Sequence, residues 1–441
     1  MDKHYERVAG LDVHKKSVAA TRMRVTAEER VEWETATFGT TTPELLELHD
    51  WLAAWGCTHV AMESTGEYWK PVYNLLEDTF EVLLVNAQHV KRVPGRKTDV
   101  SDAAWLAELQ LHGLLTASYI PPKPQRALRD LTRYRRKLIE ERARTVNRVQ
   151  KVLEGANIKL ASVVSDIQGV SAQAMLAQLA AGESNAEALA QLARGRLRKK
   201  IPALEKALTG VVQPHQRFLL AKQLAHIDFL DEQVADIAAE IARQVAQMNE
   251  PAEGSSGDTD AGEAAASAAG AVTWEQAVGL LDSIPGIDTR AAEMILAETG
   301  IDMRQFPTAK HLAAWAGVAP GNHESGGKRY SGRTRKGNVH LQSTLVQVAW
   351  AAVRTKGTFL KARYHRLAAR RGKKRAIVAI AHSILVSIWH MLSQGVSYRE
   401  LGADYYDQRS KEAKVAYLTR QLEKLTGGNV RIETQTAAAV T

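Results

Sequence analysis

The order of apolar runs in the first hundred or so residues restricts the fold more than any other feature of this 441-residue chain. Val8 to Val13 is a short apolar run, and Val18 to Val25 and Val31 to Phe38 pattern as strands of a meander. Thr42 and Pro43 then open a stretch in which Leu45, Leu46, Leu48, Trp51 and Leu52 recur at helical spacing. Thr58 to Met62 predicts a fourth strand, Glu67 to Leu76 a helix, and Glu81 to Val85 a fifth strand. Asp99 to His112 predicts a further helix, with Ala103, Leu106 and Leu109 on its apolar side.

Three strands followed by helix, strand, helix, strand and helix is the order expected of an RNase H-like α/β domain, here residues 1–120. Pro121, Pro122 and Pro124 punctuate the chain, and helix then follows helix through 121–250. Between Pro214 and Asn249, residues Leu220, Leu224, Ile227, Leu230, Val234, Ile237 and Ile241 step by threes and fours. That is a heptad-like seam on a helix roughly 50 Å long, suited to a dimerising coiled coil or to an intramolecular bundle. Residues 251–272 are Ala, Gly, Ser and acids almost throughout, a composition expected of a flexible linker. A compact, basic, all-α domain is expected over 273–426, with a disordered tail over 427–441.

Composition excludes several classes. The chain is 45% hydrophobic and 24% charged, which rules out wholly disordered, collagenous and disulfide-scaffold proteins. Cys57 is the sole cysteine, so neither an intrachain disulfide nor a Cys-based zinc site can form, in keeping with a reducing cytoplasm. No apolar signal follows Met1, and the apolar stretch Ala376 to Leu392 carries His382, Ser383, Ser387 and His390, so a buried helix is expected there and no membrane span. The net charge of +9 is unevenly spread. Gly321 to Arg375 holds fifteen bases against the single acid Glu324, and Lys123 to Lys151 holds eleven bases against three acids. Two such tracts suggest polyanion binding, as does the run Arg370-Arg371-Gly372-Lys373-Lys374-Arg375.

Four acids stand at positions where chemistry is expected. Asp12, in Gly10-Leu11-Asp12-Val13-His14-Lys15, ends the first strand, and Glu63, in Met62-Glu63-Ser64-Thr65-Gly66, ends another. Asp99 and Asp102 lie three apart at a helix start, on one helical face, and Asp99 alternatively serves as an N-cap. Converging carboxylates repel unless cations neutralise them, and hard oxygen donors suit Mg²⁺ or Mn²⁺. A pair of such ions activates a nucleophile and stabilises the leaving oxygen of a phosphodiester. A phosphate loop like that of sugar kinases and actin-like ATPases is the competing account of Gly10-Leu11-Asp12. His14, Lys15 and Lys16 stand where that loop needs small hydroxyl residues.

Ser283-Ile284-Pro285-Gly286-Ile287-Asp288 resembles the turn of a helix-hairpin-helix, in which backbone N–H groups around Gly286 meet a phosphate. Downstream, Ser325 precedes Gly326-Gly327-Lys328-Arg329, followed by Gly332-Arg333-Thr334-Arg335-Lys336. A serine before two glycines presents its hydroxyl on a turn, and Lys328, Arg329, Arg333, Arg335 and Lys336 are the candidate DNA-binding residues around it. Ser331 and Ser343 lie in the same basic segment and stay open as alternatives.

Together, the Gly-Leu-Asp-Val-His-Lys start, the Glu63 to Trp69 stretch, the Lys97-Thr98-Asp99-Val100-Ser101-Asp102-Ala103 box and the Ser-Gly-Gly-Lys turn resemble the DEDD transposases of the insertion sequence 110 family. The resemblance implies a RuvC-type nuclease domain, a coiled-coil spacer and a small C-terminal transposase domain. It implies that Asp12, Glu63, Asp99 and Asp102 bind Mg²⁺ and that Ser325 forms a covalent phosphoserine link with DNA. It further implies dimers, tetramers on DNA, a structured guide RNA encoded by the element, and a composite site shared between protomers. A cytoplasmic protein, nucleoid-associated when bound to DNA, is the expectation. The alternatives are a metal-dependent junction endonuclease that hydrolyses without Ser325, and an inactive element protein that only binds nucleic acid.

Overall fold

Strand-period alternation in the first forty residues becomes a meander of β1 (Arg7–Val13), β2 (Ser17–Val25) and β3 (Val31–Gly39). The structure, a computed structural model, describes residues 4–63, 66–85, 101–249, 272–321, 323–334, 336–409 and 411–428. The expected linker, save its last residue, and the tail from 429 lie outside the described residues, as do Asp99 and Arg335. The chain divides into two compact units, Met1–Pro121 and Pro122–Thr441.

In the first unit the chain continues through α1 (Thr42–Ala54), β4 (His59–Glu63), α2 (Trp69–Leu76), β5 (Glu81–Val85) and α3 (Asp102–Leu111). Pairing is antiparallel within the meander and parallel from β1 through β4 to β5, in the order β3-β2-β1-β4-β5. This is the RNase H-like arrangement. Register is held by side chains as well as by backbone: Thr21 faces Thr35 at 2.9 Å, and Arg22 pairs with Glu34 at 2.6 Å while its guanidinium lies over the Trp51 and Trp55 rings. One face of the sheet, with Ala9, Leu11, Val13, Val60, Met62 and Leu84, buries against Leu45, Leu48 and Leu52 of α1 and Val72 and Leu76 of α2. The other face meets α3.

Two boundaries differ from expectation. α2 begins at Trp69, two residues late, after a turn in which Gly66 has φ +56°. α3 begins at Asp102, because Ser101 is its N-cap and accepts the Ala104 N–H at 3.2 Å. The expected cap role of Asp99, and its sharing of a face with Asp102, fall on a residue outside the described ones.

The second unit is helical. It opens with α4 (Lys123–Gly155), α5 (Leu160–Val163), α6 (Val170–Ala181), α7 (Ala186–Ala190), α8 (Ile201–Leu208) and α9 (Pro214–Asn249). The heptad-like seam of α9 finds its partner in the same chain. Leu220 and Ile227 bury with Val149 and Leu153 of α4, and Leu230 and Val234 bury with Leu138. Intramolecular packing is thus the observed use of the seam, with α6 and α8 closing the same core through Met175, Leu176, Leu204 and Leu208.

The basic C-terminal part comprises α10 (Trp274–Asp282), α11 (Thr289–Thr299), α12 (Ala309–Trp315), the hairpin β6 (His323–Ser325) and β7 (Lys328–Ser331), α13 (Val339–Ala352), α14 (Phe359–Arg371), α15 (Lys373–Gln394), α16 (Tyr405–Arg409) and α17 (Lys411–Thr426). α15 is long and apolar enough to cross a membrane by length and composition. Its Ile380, Ala381, Ile384, Leu385 and Ile388 are instead buried, and Trp389 Nε1 donates to the Phe306 carbonyl at 2.9 Å, as suits a core helix.

Candidate active site

Gly10 sets the geometry of the acidic edge. A Cβ there would lie 2.2 Å from the Ala103 carbonyl oxygen and 2.4 Å from the Ala107 amide nitrogen, so only glycine lets α3 rest directly on β1. Farther along the helix, Ala107 and Leu111 pack with Val8 and Met23. α3 therefore runs antiparallel to β1, and its first residue, Asp102, lies toward the C-terminal end of that strand.

Asp12 follows Gly10 by two and projects from the same face. Gly10 pairs with Ala61 and Leu11 with Met62 across the parallel β1–β4 ladder. Glu63, two beyond Ala61, thus stands beside Asp12 on a strand about 4.8 Å away, also on the α3 face. Asp12, Glu63 and Asp102, from separate elements, lie toward one end of the sheet, the two strand acids half-buried and Asp102 exposed. The α3 N-terminus adds its partial positive charge there.

His14 joins this edge unannounced: its Nε2 lies 3.2 Å from Asp12 Oδ2. The signal for it was the Asp-x-His spacing, which in extended chain returns the ring to the carboxylate's side. Among the described residues, no three His, Cys, Asp or Glu side chains close on one metal-binding point. The donors on offer are carboxylate oxygens, a set whose hardness fits Mg²⁺ or Mn²⁺ better than a softer ion.

In the second unit, Ser325 is the last residue of β6 and pairs with Lys328 across a two-residue loop. Gly326 and Gly327 have φ of +56° and +74°, and the space around both is open. Positive φ at both loop positions is what a type I′ hairpin turn requires, which is why two glycines stand there. Ser325 and Lys328 are exposed at the tip. Gly321 N–H donates to the Arg333 carbonyl at 3.2 Å and ties the base of the hairpin. Arg333 and Lys336 are exposed just beyond it, and Arg329 lies within β7. Ser343 is taken up elsewhere, its hydroxyl bound by Arg136.

Part of the basic tract on α4 is taken up by packing. Arg133 binds both Glu298 carboxylate oxygens, at 2.7 and 2.9 Å, and Arg129 approaches the same carboxylate at 3.2 Å. Arg135 pairs with Glu293 at 2.7 Å, and Arg142 forms a two-point pair with Asp231. Arg136 reaches the His340 carbonyl and Thr344. Burial pushes the Glu298 pKa up, but the two guanidiniums and the Asn338 amide, 2.6 Å away, more than offset it and hold the carboxyl below its ordinary value. Gly286, at φ +91°, packs on α13, where a Cβ would lie 2.4 Å from the Ala352 nitrogen. Close helix packing gives that glycine a structural reason.

Comparison with known proteins agrees with this architecture. A family model described as a DEDD transposase of the IS110 type matches residues 9–158, and a second, of the IS116/IS110/IS902 transposase family, matches residues 278–365. The transposase for insertion sequence element IS1111A of Coxiella burnetii is 24% identical over 325 residues, covering 72% of each chain. A putative transposase, y4rJ, of Sinorhizobium fredii is 26% identical over 283 residues, covering 63% of this chain and 60% of its own length. A probable family 20 transposase of Pseudomonas aeruginosa is 32% identical over 121 residues, 26% of this chain and 36% of its own. RuvC of T. thermophilus, solved with a Holliday junction substrate, aligns at 12% identity over 26% of this chain with a TM-score of 0.20, too slight a likeness to carry an inference. With two models of one family matched in order along its length, the chain belongs to the IS110 family of insertion-sequence transposases.

Proposed function

We propose that this transposase cuts and rejoins DNA through a covalent link to Ser325, with Asp12, Glu63, Asp99 and Asp102 holding Mg²⁺ or Mn²⁺. The observation that supports it most is the placing of Asp12, Glu63 and Asp102 toward one end of the sheet, with α3 seated on Gly10. Divalent ions bound there would offset the carboxylate charge and polarise a phosphodiester. The serine hydroxyl loses its proton, Oγ bonds to phosphorus, the bond from phosphorus to one sugar oxygen breaks, and that oxygen leaves as a protonated hydroxyl. Reversal with a different strand end restores a phosphodiester without ATP, which separates a recombinase from a hydrolase. Lys328, with Arg329, Arg333, Arg335 and Lys336, is assigned to the phosphates around the hairpin. The acids belong to the first unit and the serine to the second. DNA ends, a structured guide RNA and further copies of the chain are the partners implied.

The test is cleavage of labelled element-end DNA with Mg²⁺ and copurifying RNA, resolved on a denaturing gel with and without protease. Label retained on protein until digestion, and lost in Ser325→Ala, is expected. Free cleaved DNA from a fully active Ser325→Ala enzyme would leave a hydrolytic nuclease using the acids alone.

A further inference from the structure

A cavity of about 1070 Å³ opens at the base of the hairpin that carries Ser325. Three segments wall it. α14 contributes Arg363, Leu367 and Arg371 at helical spacing, and α15 contributes Lys374, Arg375, Val378, Ala379 and His382. The third wall is Pro320 with Gly332 to Thr334, the two segments flanking the hairpin that Gly321 N–H ties together. Gly372, at φ +80°, makes the corner that lets α14 and α15 face the same space.

The lining divides by chemistry. Arg333, Arg371, Lys374 and Arg375 are exposed and form a cationic rim, and no acid is among the described residues that line the cavity. Leu367, Val378 and Ala379 give apolar surface farther in. Two polar groups sit among them. The Nε of Arg363 is buried without an acceptor among the described residues. Burial, with Arg363 nearby, holds the His382 imidazole below its ordinary pKa, so near pH 7 it is neutral and offers both a donor and an acceptor.

A free phosphate satisfies the rim and leaves the apolar wall and Arg363 Nε unused. An intact duplex brings phosphates to the rim but keeps its bases stacked. We propose that the cavity receives one unstacked nucleotide of a single-stranded nucleic-acid segment, its base in the pocket and its flanking phosphates on the rim. The inference rests on the nucleic-acid reading above and goes beyond it. Arg363 Nε is the donor for a base acceptor atom, and unstacking is what frees a base to reach it. Ser325 follows Gly321 by four residues, at most roughly 14 Å of chain. The base would thus be held within about four base steps of the serine, taking about 3.4 Å per step. A strand opened beside the reacting phosphodiester fits such an arrangement.

The test uses the full-length chain and fluorescence anisotropy. The probes are a 12-nucleotide DNA strand, the same sequence in RNA, its DNA duplex, and an abasic sugar–phosphate strand of equal length. Ala379→Trp fills the cavity without changing charge, and Arg363→Met removes the donor. Both variants are expected to bind the base-bearing strands at least tenfold more weakly while duplex affinity changes less than twofold. The abasic strand should bind the native protein at least tenfold more weakly than the DNA strand and ignore Ala379→Trp. The DNA and RNA arms identify which strand the pocket prefers. Equal affinity for abasic and base-bearing strands, or an equal loss on duplex, overturns the pocket and leaves a general phosphate groove. No binding of any probe overturns the nucleic-acid reading as well. Should circular dichroism show Ala379→Trp unfolded, Ala379→Leu and Arg363→Met decide the matter.

Discussion

Glu298→Ala isolates the buried charge cluster that docks α11 on α4. The Glu298 side chain has no solvent exposure, and Arg129 and Arg133 are 13% and 26% exposed. Truncation removes both Arg133 contacts, the Arg129 contact and the acceptor for Asn338. It leaves two guanidiniums facing a dry interface, a change that costs about 3–5 kcal/mol when a buried pair loses one partner. With a urea m-value of about 3 kcal/mol/M, the midpoint should fall by roughly 1–1.7 M. Trp274, Trp315, Trp350 and Trp389 lie in the second unit and report on it. Because the Glu298 carboxyl is held below 4.5, its contribution is present above that pH and is lost as pH falls through the lowered pKa. The gap between native protein and variant should therefore close in acid. A triple apolar replacement, Arg129→Met, Arg133→Leu and Glu298→Met, should recover only part of the loss. Arg129 also donates to the Ala297 and Glu298 carbonyls; Gln125 Nε2 still serves Ala297, but the Glu298 carbonyl would lose the Arg129 donor. A midpoint shift under about 0.3 M for Glu298→Ala, equivalent to about 1 kcal/mol, would show a hydrated pair of little consequence and refute the docking role.

Gly10→Ala forces a Cβ into the Ala103 carbonyl and should cost about 1–3 kcal/mol by thermal unfolding, with a loss of DNA cleavage as α3 carries Asp102 away. Gly327→Ala should cost roughly 1–2 kcal/mol through its left-handed φ and lower covalent-complex yield, whereas Ser325→Ala should abolish that complex within about 0.5 kcal/mol of native stability; urea unfolding of both variants checks the contrast. Cys57 is buried and its thiol is pushed up to about 11, so at pH 8 a disulfide reagent should react with it only after denaturant is added.

The two basic tracts show where composition stops informing. Strand order was legible because period-two runs and helical runs are local, and so was the Ser-Gly-Gly-Lys turn, whose paired glycines have a local backbone reason. The seam of α9 was equally visible, but its partner was not: a heptad pattern states that a face is covered without stating by what. Gly10 carried no signal of its own, since its constraint comes from α3, some ninety residues later. Charge is the sharpest case. Arg135 is 4% exposed and bound to Glu293, and the acid that absorbs Arg129 and Arg133 sits in the apolar-looking run Met294-Ile295-Leu296-Ala297-Glu298. A count of bases treats such an arginine and Lys328 alike, although one is neutralised inside the fold and the other stands at an exposed tip. Counterion release follows only charges that meet phosphate. The salt dependence of nucleic-acid binding should therefore weaken with neutral substitutions at Lys374 and Arg375. The same number of substitutions at Arg135 and Arg142 should lower stability and leave the slope of log affinity against log salt unchanged.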